Sequence, residues 1–476
     1  MRDGEPDAGA PLDLGDAASL GPTDASPPSA ARVLRTRLLH VPRDPFEVGP
    51  DALESWDDGA LVIDGAGFVR DVGDALAVLE RNPGLAVIDA RDAMAIPGLV
   101  DAHVHYPQVG VMAGLGLPLL RWLAERALPH EAAFADESLA EREARAFVRL
   151  LAANGTTSAL VFGAHFPAAM QAFFAAAAES GLRLCGGLVL SDRLVPEVLR
   201  STPERAYRES AELAERWHGK ARLRYAVTPR FALSCSDEML AACGALASER
   251  PELLVTSHLN ESEAEIAGVR ASYPADRDYS AVYERHGLVR EGSVFAHDVH
   301  PTDDELSRLT AAGAAVAHCP SSNASLGSGS FSMRRHLRAG VPFSLGSDVG
   351  AGTSLSMLNE ALHAYSTQAA LGESGEPLGP AHLLWLITRA GAEVIGLGGL
   401  VGDLSPGRAA DLVLLRAPDG STLENVLSHA DGPAEALAAC LMLGREDAVS
   451  ETWVQGRVVH RRVVHRRVSP ARFRGR

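Results

Sequence analysis

Pro97-Gly98-Leu99-Val100-Asp101-Ala102-His103-Val104-His105 reads as an apolar strand that ends in two histidines. Side chains alternate along a strand, so His103 and His105 point the same way with Val104 opposed. Two imidazoles side by side at a strand end are the beginning of a metal site. Alone, the pair would fit two packed structural histidines equally well. Three further runs weigh against that reading. His258-Leu259-Asn260-Glu261, His297 in Phe295-Ala296-His297-Asp298, and Gly346-Ser347-Asp348 each close their own apolar, β-rich run. Strand ends that deliver histidines, an acid and an aspartate in this rhythm point to one polar centre.

That rhythm also sets the fold class. Between about 96 and 397 the pattern is strand then helix. After the first strand the candidates are Thr156–Gly163, Leu182–Leu190, Arg222–Thr228, Leu253–Ser257, Ser293–Ala296, Ala314–Ala317 and Val341–Leu345, with helical patterns such as 137–153 and 303–312 between them. Eight βα units predict an α/β chain folded as a (β/α)8, TIM-like barrel, whose active site lies at the C-terminal strand ends. A doubly wound open sheet would not converge five such ends on one centre. Residues 1–30 are rich in Ala, Pro, Gly, Asp and Ser without periodicity and are expected to be a disordered tail. Segments 31–95 and 398–460 are β-like, with a hairpin turn at Asp64-Gly65-Ala66-Gly67 and a last hairpin at Trp453–Val459. They are expected to pair into a small β-sandwich domain. The C-terminus repeats Val-Val-His-Arg-Arg at Val458–Arg462 and Val463–Arg467, and residues 461–476 are expected to be a basic tail.

Composition narrows the partners. The net charge of −17 disfavours a nucleic-acid partner. Lys220 is the only lysine. Five widely spaced cysteines without a C-x-x-C indicate neither a disulfide framework nor a thiolate zinc site. No apolar run suits a membrane helix, and the acidic start Met1-Arg2-Asp3-Gly4-Glu5-Pro6 does not read as a secretory signal. A cytoplasmic protein with neither membrane nor nucleic-acid partner is expected.

The Pro97–His105 run, His258, His297, Asp348 and the closing Gly407-Arg408-Ala409-Ala410-Asp411-Leu412 resemble the metal-dependent amidohydrolase superfamily. Within it, the chain is similar to the guanine deaminases through His105-Tyr106-Pro107-Gln108, Thr228-Pro229-Arg230-Phe231, His258-Leu259-Asn260-Glu261-Ser262, His318-Cys319-Pro320-Ser321-Ser322-Asn323 and Gly346–Ser354. The likeness runs from about Val33 to Val459. One departure stands out: Ser191-Asp192-Arg193-Leu194 closes the third strand, where the family tends to carry Met-Asp-Arg-Asn.

The resemblance implies His103, His105, His258 and Asp348 as ligands of one zinc ion per chain, a donor set that suits zinc with an open position for water. The fourth strand, Arg222–Thr228, offers no lysine to bridge a second ion. Glu261 is then the proton shuttle, with His297 and Asp348 as its catalytic neighbours; the alternative for Glu261 is an exposed acid at a helix start. Gln108, Arg230 and Phe231 are the expected purine contacts, through amide, guanidinium and ring respectively. Their structural alternatives are a surface amide, a salt bridge and a core aromatic. His165, His300, His318 and His363 are expected to be structural. The implied reaction is hydrolysis of guanine to xanthine and ammonia by a homodimer. Rival readings are action on another heterocycle (8-oxoguanine, a pterin or a triazine) and a catalytically inactive barrel scaffold.

Overall fold

A computed structural model describes residues 30–112 and 114–462. The expected N-terminal tail, apart from Ala30, and the basic repeat beyond Arg462 lie outside the described residues. Eight parallel strands follow one another around a barrel: Leu99–His105, Thr156–Phe162, Arg183–Gly187, Arg224–Pro229, Leu254–Leu259, Ser293–His297, Ala315–His318 and Phe343–Leu345. A two-residue stub, Val189–Leu190, pairs with the fourth strand. The eighth strand meets the first just beyond its end. There the Asp348 N–H donates to the His103 carbonyl (2.8 Å) and the His105 N–H to the Val349 carbonyl (2.9 Å). Gly346 permits this closure, because a Cβ there would lie 2.8 Å from the Cβ of His103.

The strands form because short apolar, β-branched runs are buried on both faces, as parallel sheets require. Thr156–Phe162 is buried throughout. The helices between them carry their own stop and start signals. Asp136 caps Glu137–Ala153 by accepting from the Ser138 and Leu139 N–H groups. Thr302 and Glu305 form a reciprocal capping box on Asp303–Ala312, which ends at the left-handed Gly313.

Inside the barrel, the lower half is an apolar plug of Val100, Ala102, Leu160, Cys185, Ala226, Leu254 and Val294, closed from below by Ala392 and Val394. Strict alternation along the first strand would put Val100 and Ala102 on the face opposite His103 and His105. A β-bulge resolves this. Asp101 pairs with Ala159 and Val104 with Val161, so three steps on one strand oppose two on the next. The extra residue flips the phase, and both the apolar pair below and the histidines above face inward.

The segments before and after the barrel form one seven-stranded sheet. Its order is Arg457–Arg461, Val449–Val454, Leu412–Leu415, Ala86–Pro97, Arg32–His40, Glu54–Ile63 and Val69–Asp74. Where a small sandwich is expected from the sequence, the two segments thus pair into this single sheet. Leu34, Leu61, Ile63, Leu412, Leu414 and Trp453 share one core, and Phe68 bridges to Ala409. Ala86–Pro97 runs through Gly98 directly into the first barrel strand, so sheet and barrel are covalently and physically continuous. Asp411 strengthens the joint by accepting from Arg183 Nε (2.7 Å) and Nη2 (3.1 Å) at the foot of the third strand. Among the described residues, no helix is long and apolar enough to cross a membrane.

Candidate active site

The upper strand ends bring four of the expected ligands together. The donor atoms of His103, His105, His258 and Asp348 all lie within 4.8 Å of one another. His103 Nε2 is 3.1 Å from His105 Nε2, which is 3.3 Å from His258 Nε2. Asp348 Oδ1 lies 3.3 Å from His103 Nε2 and 3.1 Å from His105 Nε2. His258 Nδ1 lies 2.6 Å from the Arg230 carbonyl; as the donor there, it leaves Nε2 as a bare lone pair turned toward the other rings. Lone pairs facing each other at this distance repel unless a proton or a cation sits between them. Protons are disfavoured: burial lowers His258 well below the ordinary histidine value and brings His105 down to about 4. Burial also works against the Asp348 charge, but the His103 and His105 rings beside it prevail and hold its carboxyl well below the usual range. A cluster of neutral imidazoles with one carboxylate fits a divalent cation.

Backbone strain accompanies this convergence. Asn260, His297, Asp298 and Asp348, all non-glycine, sit in the left-handed region at φ 49°, 75°, 44° and 47°. Such conformations persist where surrounding contacts fix them. Asp101 supplies one such contact, accepting from Ser347 N (2.9 Å) and Ser347 Oγ (2.6 Å) and so tying the Asp348 turn to the first strand. Asp298 supplies another through Asn260 Nδ2 (3.0 Å) and His336 Nε2 (3.0 Å).

Glu261 is not the exposed helix-start acid of the alternative reading. It is 2% exposed. Ser262 is the cap of the helix Glu263–Ser272, and Glu265 accepts from the Glu261 and Ser262 N–H groups, fixing the turn. Ser328 Oγ donates to Glu261 Oε1 at 3.2 Å, and Glu261 Oε2 lies 3.5 Å from His297 Nε2. Burial, then the neighbouring Glu265 and Asp348 charges, raise the Glu261 carboxyl well above its ordinary value. His297 is held by Asn323, whose Oδ1 lies 2.9 Å from its Nδ1, leaving Nε2 3.8 Å from Asp348 Oδ2.

Above the cluster opens a cleft that His105, His258, Glu261, His297 and Asp348 also line. Gln108, Arg230 and Phe231 line it together with Trp122, Leu119 and Leu123. All three expected contacts therefore face the same space as the histidines. Gln108 and Arg230 are not free, however. Both donate to Glu131, from Gln108 Nε2 (2.5 Å) and Arg230 Nη1 (3.0 and 2.9 Å). Glu131 lies on the short helix Leu128–Ala132 and escaped notice in the sequence, where nothing distinguishes it from the neighbouring Glu125. Ser191–Leu194, where the chain departs from the family pattern, does not line the cleft. Ser191 Oγ is engaged with Ser234 Oγ, and Leu194 is 65% exposed. The other histidines serve structure or support: His300 Nε2 lies 2.6 Å from the Ser328 carbonyl, His318 stacks on Phe331, and His165 lies 3.3 Å from Glu131.

Residues 94–459 match the model of the Amidohydrolase family. A protein of Deinococcus radiodurans named probable guanine deaminase is 51% identical over 90% of this chain and 98% of its own length. The solved guanine deaminase of Escherichia coli superposes with a TM-score of 0.86 at 35% identity, over 91% of this chain and all of that one. A guanine deaminase from C. acetobutylicum, solved with guanine in its active site, gives a TM-score of 0.82 at 25% identity over 90% of this chain and all of that one.

Proposed function

The chain belongs to the amidohydrolase family, and we propose that it hydrolyses guanine to xanthine and ammonia. The observation that carries this reading is the coincidence, in one cleft, of the His103–His105–His258–Asp348 cluster with Glu261 and His297 below and Gln108, Arg230 and Phe231 above. The guanine deaminases at 51% and 35% identity support the same substrate.

His103, His105, His258 and Asp348 would hold one divalent ion, and their nitrogen-rich donor set favours zinc. When bound, such an ion supplies Lewis-acid activation of water near neutral pH. No lysine stands on the fourth strand, and Lys220, the sole lysine, is exposed in the loop before it, which supports a single ion per chain.

The rest of the chemistry belongs to the chain. Arg230 and Gln108 meet the polar edge of the purine, and Phe231 and Trp122 offer flat apolar walls that exclude water from it. Glu261 takes a proton from the attacking water and passes it to ring N3 as C2 becomes tetrahedral. It then takes the remaining proton from the hydroxyl on C2 and delivers it to the departing amine, as the C2–N bond breaks and the C2 carbonyl forms. Its buried position, with a carboxyl raised above the ordinary range, suits a group that must both accept and donate near neutrality. His297, fixed by Asn323, hydrogen-bonds the oxygen that adds to C2. Adenine presents a ring amine where Arg230 expects a carbonyl. That leaves a buried donor unpaired, a mismatch such sites reject strongly.

Ammonia release from guanine by the purified protein, with and without a chelator, tests the reading. Turnover that the chelator abolishes supports it. Preference for 8-oxoguanine, a pterin or a triazine by tenfold would replace the substrate. The unpaired, buried state of all five cysteines supports a reducing, cytoplasmic setting, and the family likeness supports a homodimer.

A further inference from the structure

Glu131 is 2% exposed and sits behind the substrate wall rather than in it. One of its oxygens accepts from both Gln108 Nε2 (2.5 Å) and Arg230 Nη1 (3.0 Å), while the other accepts from Arg230 Nη1 (2.9 Å) and lies 3.3 Å from His165 Nδ1. Gln108 is thereby oriented at both ends, since its Oε1 accepts from the Gly350 N–H at 3.2 Å. Arg230 uses only Nη1 on Glu131, which leaves Nε and Nη2 for another acceptor.

The helix that carries Glu131 is itself built to face the cleft. Trp122 and Glu131 are nine positions apart in the sequence, about two and a half turns of a regular helix, which would put them on opposite faces. A π-helical turn at Leu123–Ala127 breaks that phase. Trp122 and Leu123 can then line the cleft while Glu131 reaches Arg230 and Gln108. The neutral pair Glu131–Arg230 also sets the charge of the wall: a buried guanidinium without its carboxylate would favour an anion. Burial opposes the Glu131 charge, but the Arg230 guanidinium, the nearby His165 and the Gln108 amide hold its carboxyl well below the usual range.

We propose that Glu131 is the positioning residue of the substrate cleft: it aligns Arg230 with Gln108 and cancels the Arg230 charge, so that the cleft selects an uncharged planar heterocycle over an anionic one. The inference rests on the deaminase reading of the same cleft.

Two purines separate charge from shape: hypoxanthine, uncharged at neutral pH, and urate, a monoanion. Their binding to the metal-loaded full chain is measured by calorimetry, alongside guanine kinetics and metal content. Glu131→Gln should raise KM for guanine about tenfold or more, with a smaller effect on kcat, at wild-type metal content. It should shift the urate-to-hypoxanthine affinity ratio about tenfold or more toward urate. Glu131→Asp keeps the charge but withdraws it by one methylene, so the ratio should stay at the wild-type value while KM for guanine rises. An unchanged ratio in Glu131→Gln, or wild-type guanine kinetics in both variants, overturns the proposal. Should Glu131→Gln fail to fold, Glu131→Asp decides: raised KM at unchanged metal content supports the positioning role, and wild-type KM contradicts it. The binding ratio needs no turnover. A wild-type protein that binds purines but leaves guanine intact therefore defeats the deaminase reading and leaves the role of Glu131 to be read on its own.

Discussion

At the lower end of the barrel Val100, Leu160, Cys185, Ala226, Leu254 and Val294 interlock as a dry plug, whereas a few residues further along the same strands His103, His105, His258, His297 and Asp348 crowd together with Glu261. The lower residues lie within the barrel strands, while Asn260, His297, Asp298 and Asp348 above them adopt left-handed backbone. The lower end loses free energy if a methyl group is removed. The upper end holds facing lone pairs and a buried acid that only a cation and a polar substrate would fully satisfy. One set of strands thus separates stability from chemistry along its length, as the geometry of such barrels permits.

The separation breaks most completely at a ligand. His103→Ala removes one of four donors and should abolish metal retention and turnover together; metal content and ammonia release read both. Full activity without metal would mean that the cluster is structural. Glu261→Gln should keep the metal and the fold yet lose roughly 10²- to 10⁴-fold in kcat, because the amide matches the carboxyl in shape but cannot shuttle a proton. Near-normal turnover would assign the proton to another group.

Leu160→Ala sharpens the contrast from the other side. It opens a cavity in the plug and should cost about 2–5 kcal/mol of stability by denaturant titration, with kcat of the folded fraction unchanged. A large loss of kcat there would show that the two ends are coupled. Asn323→Ala, which frees the His297 ring, should lower kcat by roughly fivefold, the scale of one hydrogen bond of about 1 kcal/mol, without changing metal content.

The smallest effect concerns Glu360, a buried acid behind the upper end whose Oε2 accepts from the Ser321 N–H at 3.1 Å. Burial raises its carboxyl well above the ordinary value, so the folded chain holds this proton where the unfolded chain has lost it. Its contribution to stability is therefore present below the unfolded-state pKa and falls as pH climbs toward the folded one. Glu360→Gln, with the same shape and no proton to lose, should flatten the decline of Tm with pH above about 4.3. An unchanged slope would mean that the acid is ionised in the folded state.

The difference between the two ends also explains what the sequence made legible. The His103–His105–His258–Asp348 cluster could be read because each of its residues follows an apolar run, and parallel strands place their C-terminal ends on one side. His103-x-His105 even pointed to a shared face correctly, although the β-bulge beneath it left no mark in the residue pattern. Glu261 was legible from its place just past the His258 strand end, and family likeness weighed against the ordinary explanation of an acid at a helix start. Glu131 was not legible at all. It reaches the cleft through a π turn and a contact with Arg230, 99 positions away. Neither produces a local periodicity. At Ser191–Leu194, where the residues depart from the family pattern, the chain turns so that Leu194 faces solvent.

Stoichiometric reconstitution tests the site most directly. Protein stripped by a chelator is titrated with zinc while ammonia release from guanine is followed. Activity should be absent without metal, rise linearly and saturate at one equivalent per chain. Activity in the stripped protein, or a requirement for two equivalents, would contradict a single ion held by His103, His105, His258 and Asp348.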